Sequence, residues 1–146
     1  MMITWKARKI IMASSMKVII AGGRSYSQFY KMIGKMDMFL SKCNNLDIEI
    51  VSGTAVGADK LGEDYAELRE YKVKRFPADW DKFGKGAGFK RNTEMAEYAD
   101  ALVAFWDGQS RGTMHMINIA KKKGLQVKVV KYTPKSSTNR DSINGI

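Results

Sequence analysis

Three short apolar runs in this chain each give way to a glycine-containing turn, and each turn opens onto a helical pattern. Ile48-Glu49-Ile50-Val51 runs into Ser52-Gly53-Thr54-Ala55-Val56-Gly57-Ala58-Asp59, Val18–Ala21 into Gly22-Gly23-Arg24-Ser25, and Ala101–Phe105 toward Gly108-Gln109-Ser110-Arg111-Gly112-Thr113. A helix that starts at such a turn leaves its first N–H groups without intrahelical partners, which makes a ready anion site. Two further apolar runs, Lys72–Phe76 and Val127–Val130, fit the same alternation. Helical patterns fill the spaces over Ser25–Lys42, Ala58–Glu70, Phe89–Tyr98 and Thr113–Lys123, with apolar residues at steps of three and four. Gly124 is placed to end the last of them. Strands alternating with helices predict an α/β fold: a Rossmann-like, doubly wound parallel sheet of about five strands in three α/β/α layers. Near-continuous Val/Ile/Ala runs suit strands covered on both faces. Ligands of such folds bind outside the carboxyl ends of the strands. The three turns therefore share one edge and predict a nucleotide-sized groove.

The length of 146 residues suits one domain with its own core. Residues 1–15 read as an N-terminal extension, 16–132 as the folded domain and 133–146 as a polar tail. The formal net charge is +10. Three of the surplus charges lie in residues 1–15 and one in residues 132–146, which leaves +6 for residues 16–131. A basic domain favours anionic partners such as nucleotides or nucleic acid, although a solvated lysine-rich surface gives the same count. Cys43 is the single cysteine, which excludes an intrachain disulfide and fits a reducing, cytoplasmic setting. No apolar run approaches the ~20 residues of a membrane span. One histidine and one cysteine exclude a dedicated transition-metal cluster, and nothing calls for a cofactor.

The candidate site residues follow from the turns. Gly22 and Gly23 let the backbone approach a phosphate, Arg24 offers a charged fork and Ser25 an N-cap. There is no full GxGxxG and no acidic residue ends strand two, which argues against an NAD fingerprint. Ser52, Gly53, Thr54, Gly57, Ala58 and Asp59 lack the Lys-Ser/Thr of a P-loop. Asp59 either caps its helix or accepts hydrogen bonds from a ligand. Residues 78–88 read as a loop longer than the usual 2–6 residues, and long loops at a ligand edge are often functional. In it, Trp80 and Phe83 are candidates to stack on a base, Trp80 equally to be a buried anchor for the loop, and Lys82 and Lys85 are candidates for phosphate. Arg91 and Asn92 fall in the first helical turn, where a cation opposes the dipole and calls for an anionic neighbour. Ser110, Arg111, Gly112 and Thr113 suit a phosphate, with His115 close by.

Taken in order, these stretches resemble the YspA-like branch of the SLOG superfamily over about residues 16–131. They are Gly22-Gly23-Arg24, Ser52-Gly53 through Gly57-Ala58-Asp59, Phe76-Pro77-Ala78-Asp79-Trp80, the Gly84/Ala87-Gly88/Arg91-Asn92 series and Ser110-Arg111-Gly112-Thr113. That superfamily also holds the LOG phosphoribohydrolases and the DprA/SMF DNA-processing proteins. The resemblance implies a Rossmann-like fold with a nucleotide-derived ligand, and a role as ligand sensor or N-glycosidic hydrolase. LOG enzymes carry Pro-Gly-Gly-x-Gly-Thr-x-Glu-Glu. Here only Gly112-Thr113 survives, followed by Met114 and His115, and Arg91 corresponds loosely to the LOG arginine. The carboxylate that assists glycosidic cleavage is absent from its usual place, which leaves Glu94 and Asp59 as substitutes.

The leading expectation is a module that binds a nucleotide or an ADP-ribose-like molecule, to sense or sequester it. The alternative is a nucleoside monophosphate N-glycosidase using Glu94 or Asp59. A weaker alternative is DNA binding of DprA type, for which no compact aromatic–basic stripe stands out in the sequence. Homo-oligomers are a further expectation, with the Met-rich face of Ser25–Lys42 as either interface or core.

Overall fold

A computed structural model describes residues 15–43 and 46–134. Five parallel strands, β1 (Ser15–Gly22), β2 (Asp47–Ser52), β3 (Lys72–Arg75), β4 (Ala101–Trp106) and β5 (Gln126–Lys131), form one sheet in the order β3-β2-β1-β4-β5. Four twelve-residue helices cover it: α1 (Phe29–Leu40), α2 (Ala58–Arg69), α4 (Ala87–Tyr98) and α5 (Arg111–Lys122). A single helical turn, α3 (Trp80–Phe83), precedes α4 through a 3₁₀ turn at Gly84–Gly86. This is the expected Rossmann-like three-layer architecture. Among the described residues, no helix is long and apolar enough to cross a membrane.

Alternation along β1 builds the two cores. Met16, Val18 and Ile20 pack with Met32, Met36 and Tyr65 beneath α1 and α2, while Ile19 and Ala21 pack with Met95, Met116 and Ile117 beneath α4 and α5. Met32 and Met36 thus belong to the core, and Met38 is the exposed methionine of α1. Gly62 brings α2 against the sheet: a Cβ there would stand 2.8 Å from Ile20 Cβ. The chain leaves β1 toward β2 on one side and returns to its other side at β4. The strand order therefore reverses between β1 and β4, and a crevice opens at their carboxyl ends.

Several boundaries differ from the sequence expectation. The first helix begins at Phe29 rather than Ser25. Tyr26 is buried against Phe105 and Tyr132, with ring centroids 4.8 and 4.9 Å away, and its hydroxyl donates to the Gln28 carbonyl at 2.9 Å. Seating that ring keeps residues 26–28 out of the helix, so Ser25 is not an N-cap; its hydroxyl bonds Tyr132 Oη at 2.8 Å. The long loop is largely helical, because Asp79 accepts the Lys82 amide at 3.1 Å and nucleates α3. Helix α4 accordingly starts at Ala87, and Arg91 and Asn92 lie in its second turn, beyond the reach of the terminal dipole. The last helix starts at Arg111, capped by Ser110. Gly124, with φ +85°, follows its end as expected. Ser15, expected to belong to the N-terminal extension, pairs with Asp47 in the sheet; residues 1–14, 44–45 and 135–146 lie outside the described residues.

Candidate ligand cavity at the switch point

The carboxyl ends of β1, β2 and β4 and the α3–α4 segment enclose a cavity of about 480 Å³, within the range of small-molecule sites. Gly22, Gly23, Arg24 and Ser25 form the wall after β1, and Ala55 and Asp59 the wall after β2. Asp107, Ser110, Gly112 and Thr113 form the wall after β4, and Trp80, Lys85, Gly88, Phe89, Arg91 and Asn92 close the remaining side.

Close backbone packing fixes the first wall. A Cβ on Gly22 would lie 2.2 Å from the Phe105 carbonyl oxygen, and one on Gly23 2.1 Å from Tyr132 Oη. The Gly23 amide donates to Phe105 O at 3.0 Å, and Gly23 O accepts the Ala58 amide at 3.2 Å. Gly57, at φ +85°, abuts the first turn: a Cβ would meet Gly23 O at 2.4 Å and Arg24 O at 2.6 Å.

The turn after β2 engages three of its amides within the protein. The Thr54 N–H donates to Ser52 Oγ at 3.0 Å, the Ala55 N–H to Asp59 Oδ2 at 3.2 Å, and the Ala58 N–H to Gly23. Ser52 in turn donates to Glu63 at 2.7 Å, and Glu63 pairs with Arg75 at 3.0 Å. This network holds Thr54 at φ +67°, a strained conformation for a β-branched residue. The turn after β4 is built likewise. Asp107 Oδ1 accepts the Gln109 and Ser110 amides, each at 2.8 Å, and Ser110 Oγ takes the Thr113 amide at 3.4 Å. Two of the three turns thus carry their own carboxylate, and an external phosphate finds those amides already engaged.

Positive charge comes from side chains instead. Arg24, Lys85 and Arg91 all line the cavity. Arg91 donates through Nη1 to the Gly53 carbonyl and through Nε to Asn92 Oδ1 at 3.1 Å. Burial lowers the Arg91 pKa, Asp59 opposes that shift and Arg24 adds to it. Asp59 is 5% exposed, and burial pushes its carboxyl up to about 6. The Ala55 amide and the Arg91 charge pull the other way, and Glu63 adds to the rise. Asp107 is held below the usual carboxylate range by its two amide bonds.

The structure does not bring every expected residue to the cavity. Ser52, Gly53, Thr54, Gly57 and Ala58 build the second turn without lining it. Arg111 lies at the solvent side of the α5 start, outside the lining. His115 stacks on Phe89 at 4.2 Å and meets Asn92 Nδ2 through Nδ1 at 3.2 Å, so it positions Asn92 from behind; burial lowers its pKa. Glu94 stands outside the cavity, half-exposed and paired with Lys90 at 3.4 Å. Three residues on from Arg91, it lies outside the cavity lining, whereas Asp59 lines the cavity. Trp80 is 53% exposed with its ring over Gly88, so it is no buried anchor. Sequence reasoning missed Asp107, Ala55 and Phe89. An Asp two and three residues before free amides after a strand is an Asx-turn signal that pointed to Asp107; Phe89 had no local signal.

Fold and cavity together define a Rossmann-like α/β domain with a ligand-sized crevice at its topological switch point. A model of the YspA, cpYpsA-related SLOG family matches residues 16–83, and the chain belongs to that family. The Gene 61 protein of Mycobacterium phage D29 is 39% identical over 84 residues, which are 53% of this chain and 67% of that protein. Among solved structures, DNA processing protein A from Streptococcus pneumoniae aligns at a TM-score of 0.63 and 17% identity, over 94% of this chain and 58% of its own. DNA processing protein A from Helicobacter pylori, a single-stranded DNA binder, aligns at 0.54 and 20%, over 94% of this chain and 75% of its own. At these identities the likeness establishes the fold. The family match spans the first two turns, and the Asp107 turn lies beyond it.

Proposed function

We propose that the chain binds a nucleotide-derived small molecule in this cavity, as a sensing or sequestering module. The observation that carries the reading is one crevice at the switch point with an exposed indole on its lip and three cationic side chains, Arg24, Lys85 and Arg91, in its walls. An aromatic face suits a base, and guanidinium forks suit phosphate. Asp59 and Asp107 already hold the Ala55, Gln109 and Ser110 amides, which favours side chains as the holders of the anion, and the carboxylates suit the hydroxyl groups of a ribose. Titration calorimetry with adenosine monophosphate, adenosine diphosphate and ADP-ribose tests this. Saturable binding that weakens about tenfold or more in Arg24→Ala is expected, the scale of a charge-assisted hydrogen bond. Absence of binding across the panel overturns the reading.

One observation favours a second reading, hydrolysis of an N-glycosidic bond: a buried carboxylate with a raised pKa inside the cavity, Asp59. Release of free base that disappears in Asp59→Asn while binding persists would establish it. Binding without release leaves the sensing role.

A further inference from the structure

His115 lies outside the lining of the cavity, yet a chain of hydrogen bonds through one buried amide joins it to Arg91, which is in that lining. Asn92, on the second turn of α4, is 7% exposed. Gly112 and His115, three residues apart on α5, meet it from the neighbouring helix. The orientation of the Asn92 amide is set from both ends. Arg91 Nε can only donate, so the atom 3.1 Å from it is Oδ1. The Gly112 carbonyl can only accept, so the atom 3.3 Å from it is Nδ2. The second N–H of Nδ2 is left for His115 Nδ1, at 3.2 Å. That ring nitrogen must therefore accept, which places the proton of the neutral imidazole on Nε2. Phe89 stacks on the same ring at 4.2 Å and 18° and holds its plane. Both N–H groups of Asn92 and its oxygen are engaged within the protein, so Asn92 is a link in the wall rather than a free donor to a ligand.

The guanidinium at the other end of the chain is held at two points, through Nη1 on the Gly53 carbonyl and through Nε on Asn92. The rest of its N–H fork is left for the cavity that it lines. We propose that His115 is a positioning residue: by fixing the Asn92 amide, it sets the direction in which Arg91 presents those remaining donors. Without an acceptor at position 115, a buried N–H of Asn92 loses its partner, which is costly. The amide then gains by rotating, Oδ1 leaves Arg91 Nε, and the guanidinium pivots on the Gly53 carbonyl alone. The consequence for anion affinity rests on the reading of the cavity as a nucleotide site. The positioning itself does not, because every bond in the chain is internal to the protein. A histidine that served only to pack on Phe89 would be replaceable by another ring. One that serves as an acceptor is replaceable by a side chain carrying an oxygen in place of Nδ1, which is asparagine.

The test has one readout without ligand and one with it. Solution NMR follows the Nε–H resonance of Arg91, assigned by its disappearance in Arg91→Lys. In His115→Phe, which keeps a ring against Phe89 and removes the acceptor, this proton is expected to exchange with water about tenfold faster than in the parent. In His115→Asn the slow exchange is expected to return. Calorimetry with adenosine diphosphate gives the second readout. Affinity is expected to fall about tenfold in His115→Phe and to recover in His115→Asn. In an Arg91→Ala background, His115→Phe is expected to change affinity by no more than about twofold, the mark of two residues acting through one contact. Should His115→Phe fail to fold, His115→Leu carries the same expectations. An unchanged Arg91 exchange rate in a folded variant overturns the proposal. So does a loss of affinity that is equally large with and without Arg91. Absence of adenosine diphosphate binding by the parent, with exchange at Arg91 still governed by position 115, rejects the nucleotide reading of the cavity and supports the positioning role.

Discussion

The turn after β2 and the lip formed by α3–α4 border one cavity and are built on opposite principles. The turn answers three of its own amides: Ser52, Asp59 and Gly23 accept from Thr54, Ala55 and Ala58. The lip satisfies little. Trp80 rests on Gly88 and is otherwise open, and Lys85 belongs to the cavity wall. A glycine-rich turn is therefore an anion site only where no side chain of the protein reaches its amides first. In this chain the closed turns set the shape of the cavity, and Arg24, Arg91 and the open lip line it.

The largest effect on this contrast is expected from Gly57→Val. The substitution places a branched side chain at φ +85° and drives it into Gly23 O and Arg24 O. A loss of about 3–4 kcal/mol is expected from backbone strain plus overpacking, read by urea unfolding. A variant as stable as the parent would mean that the first two turns are not locked together.

Asp59→Asn probes the closed turn by pH. The folded-state pKa, about 6, lies above the ordinary value of 3.8. The folded protein therefore holds the proton more tightly between those values, and Asp59's contribution to stability is fully present below about pH 4 and lost as the pH rises through about 6. Two pKa units correspond to about 3 kcal/mol. The Asn variant keeps an acceptor for the Ala55 amide and lacks the titration. Its stability relative to the parent should rise between pH 4 and 7 and level off above. A flat difference would show that burial does not disfavour the charge.

Asp107→Ala opens the turn after β4. Loss of the two amide bonds should lower stability by about 1 kcal/mol. Freeing the amides and removing a negative charge should at the same time tighten binding of a phosphate-bearing ligand, measured by calorimetry. Weaker binding would instead show that Asp107 contacts the ligand. The smallest effect is expected from Glu94→Gln. An exposed pair with Lys90 is worth about 0–1 kcal/mol, so stability and ligand affinity should barely move. A large loss of ligand turnover in this variant would return Glu94 to the site.

The division between what was legible and what was not follows the range of the interactions. The strands, their parallel arrangement, the three turns and the edge they share were readable, because β-branched runs, steps of three and four and glycine punctuation are local signals. The start of α1 was not, because Tyr26 leaves the helical pattern to meet Phe105 and Tyr132, the latter over a hundred residues away in sequence. The fate of Glu94 and Arg91, three residues apart on α4, was equally hidden. One reaches the Gly53 carbonyl, and the other faces solvent with Lys90.

By itself, the sequence determined a Rossmann-like sheet with glycine turns at its ligand edge, since periodicity and turn chemistry act within a few residues. Only the tertiary structure decided which amides were already spoken for, which cations enter the cavity and which rings stay exposed beside it. Those outcomes depend on hydrogen bonds and burial between residues distant in the chain, and the pattern of any one segment carries no record of the acceptor that folding will bring to it.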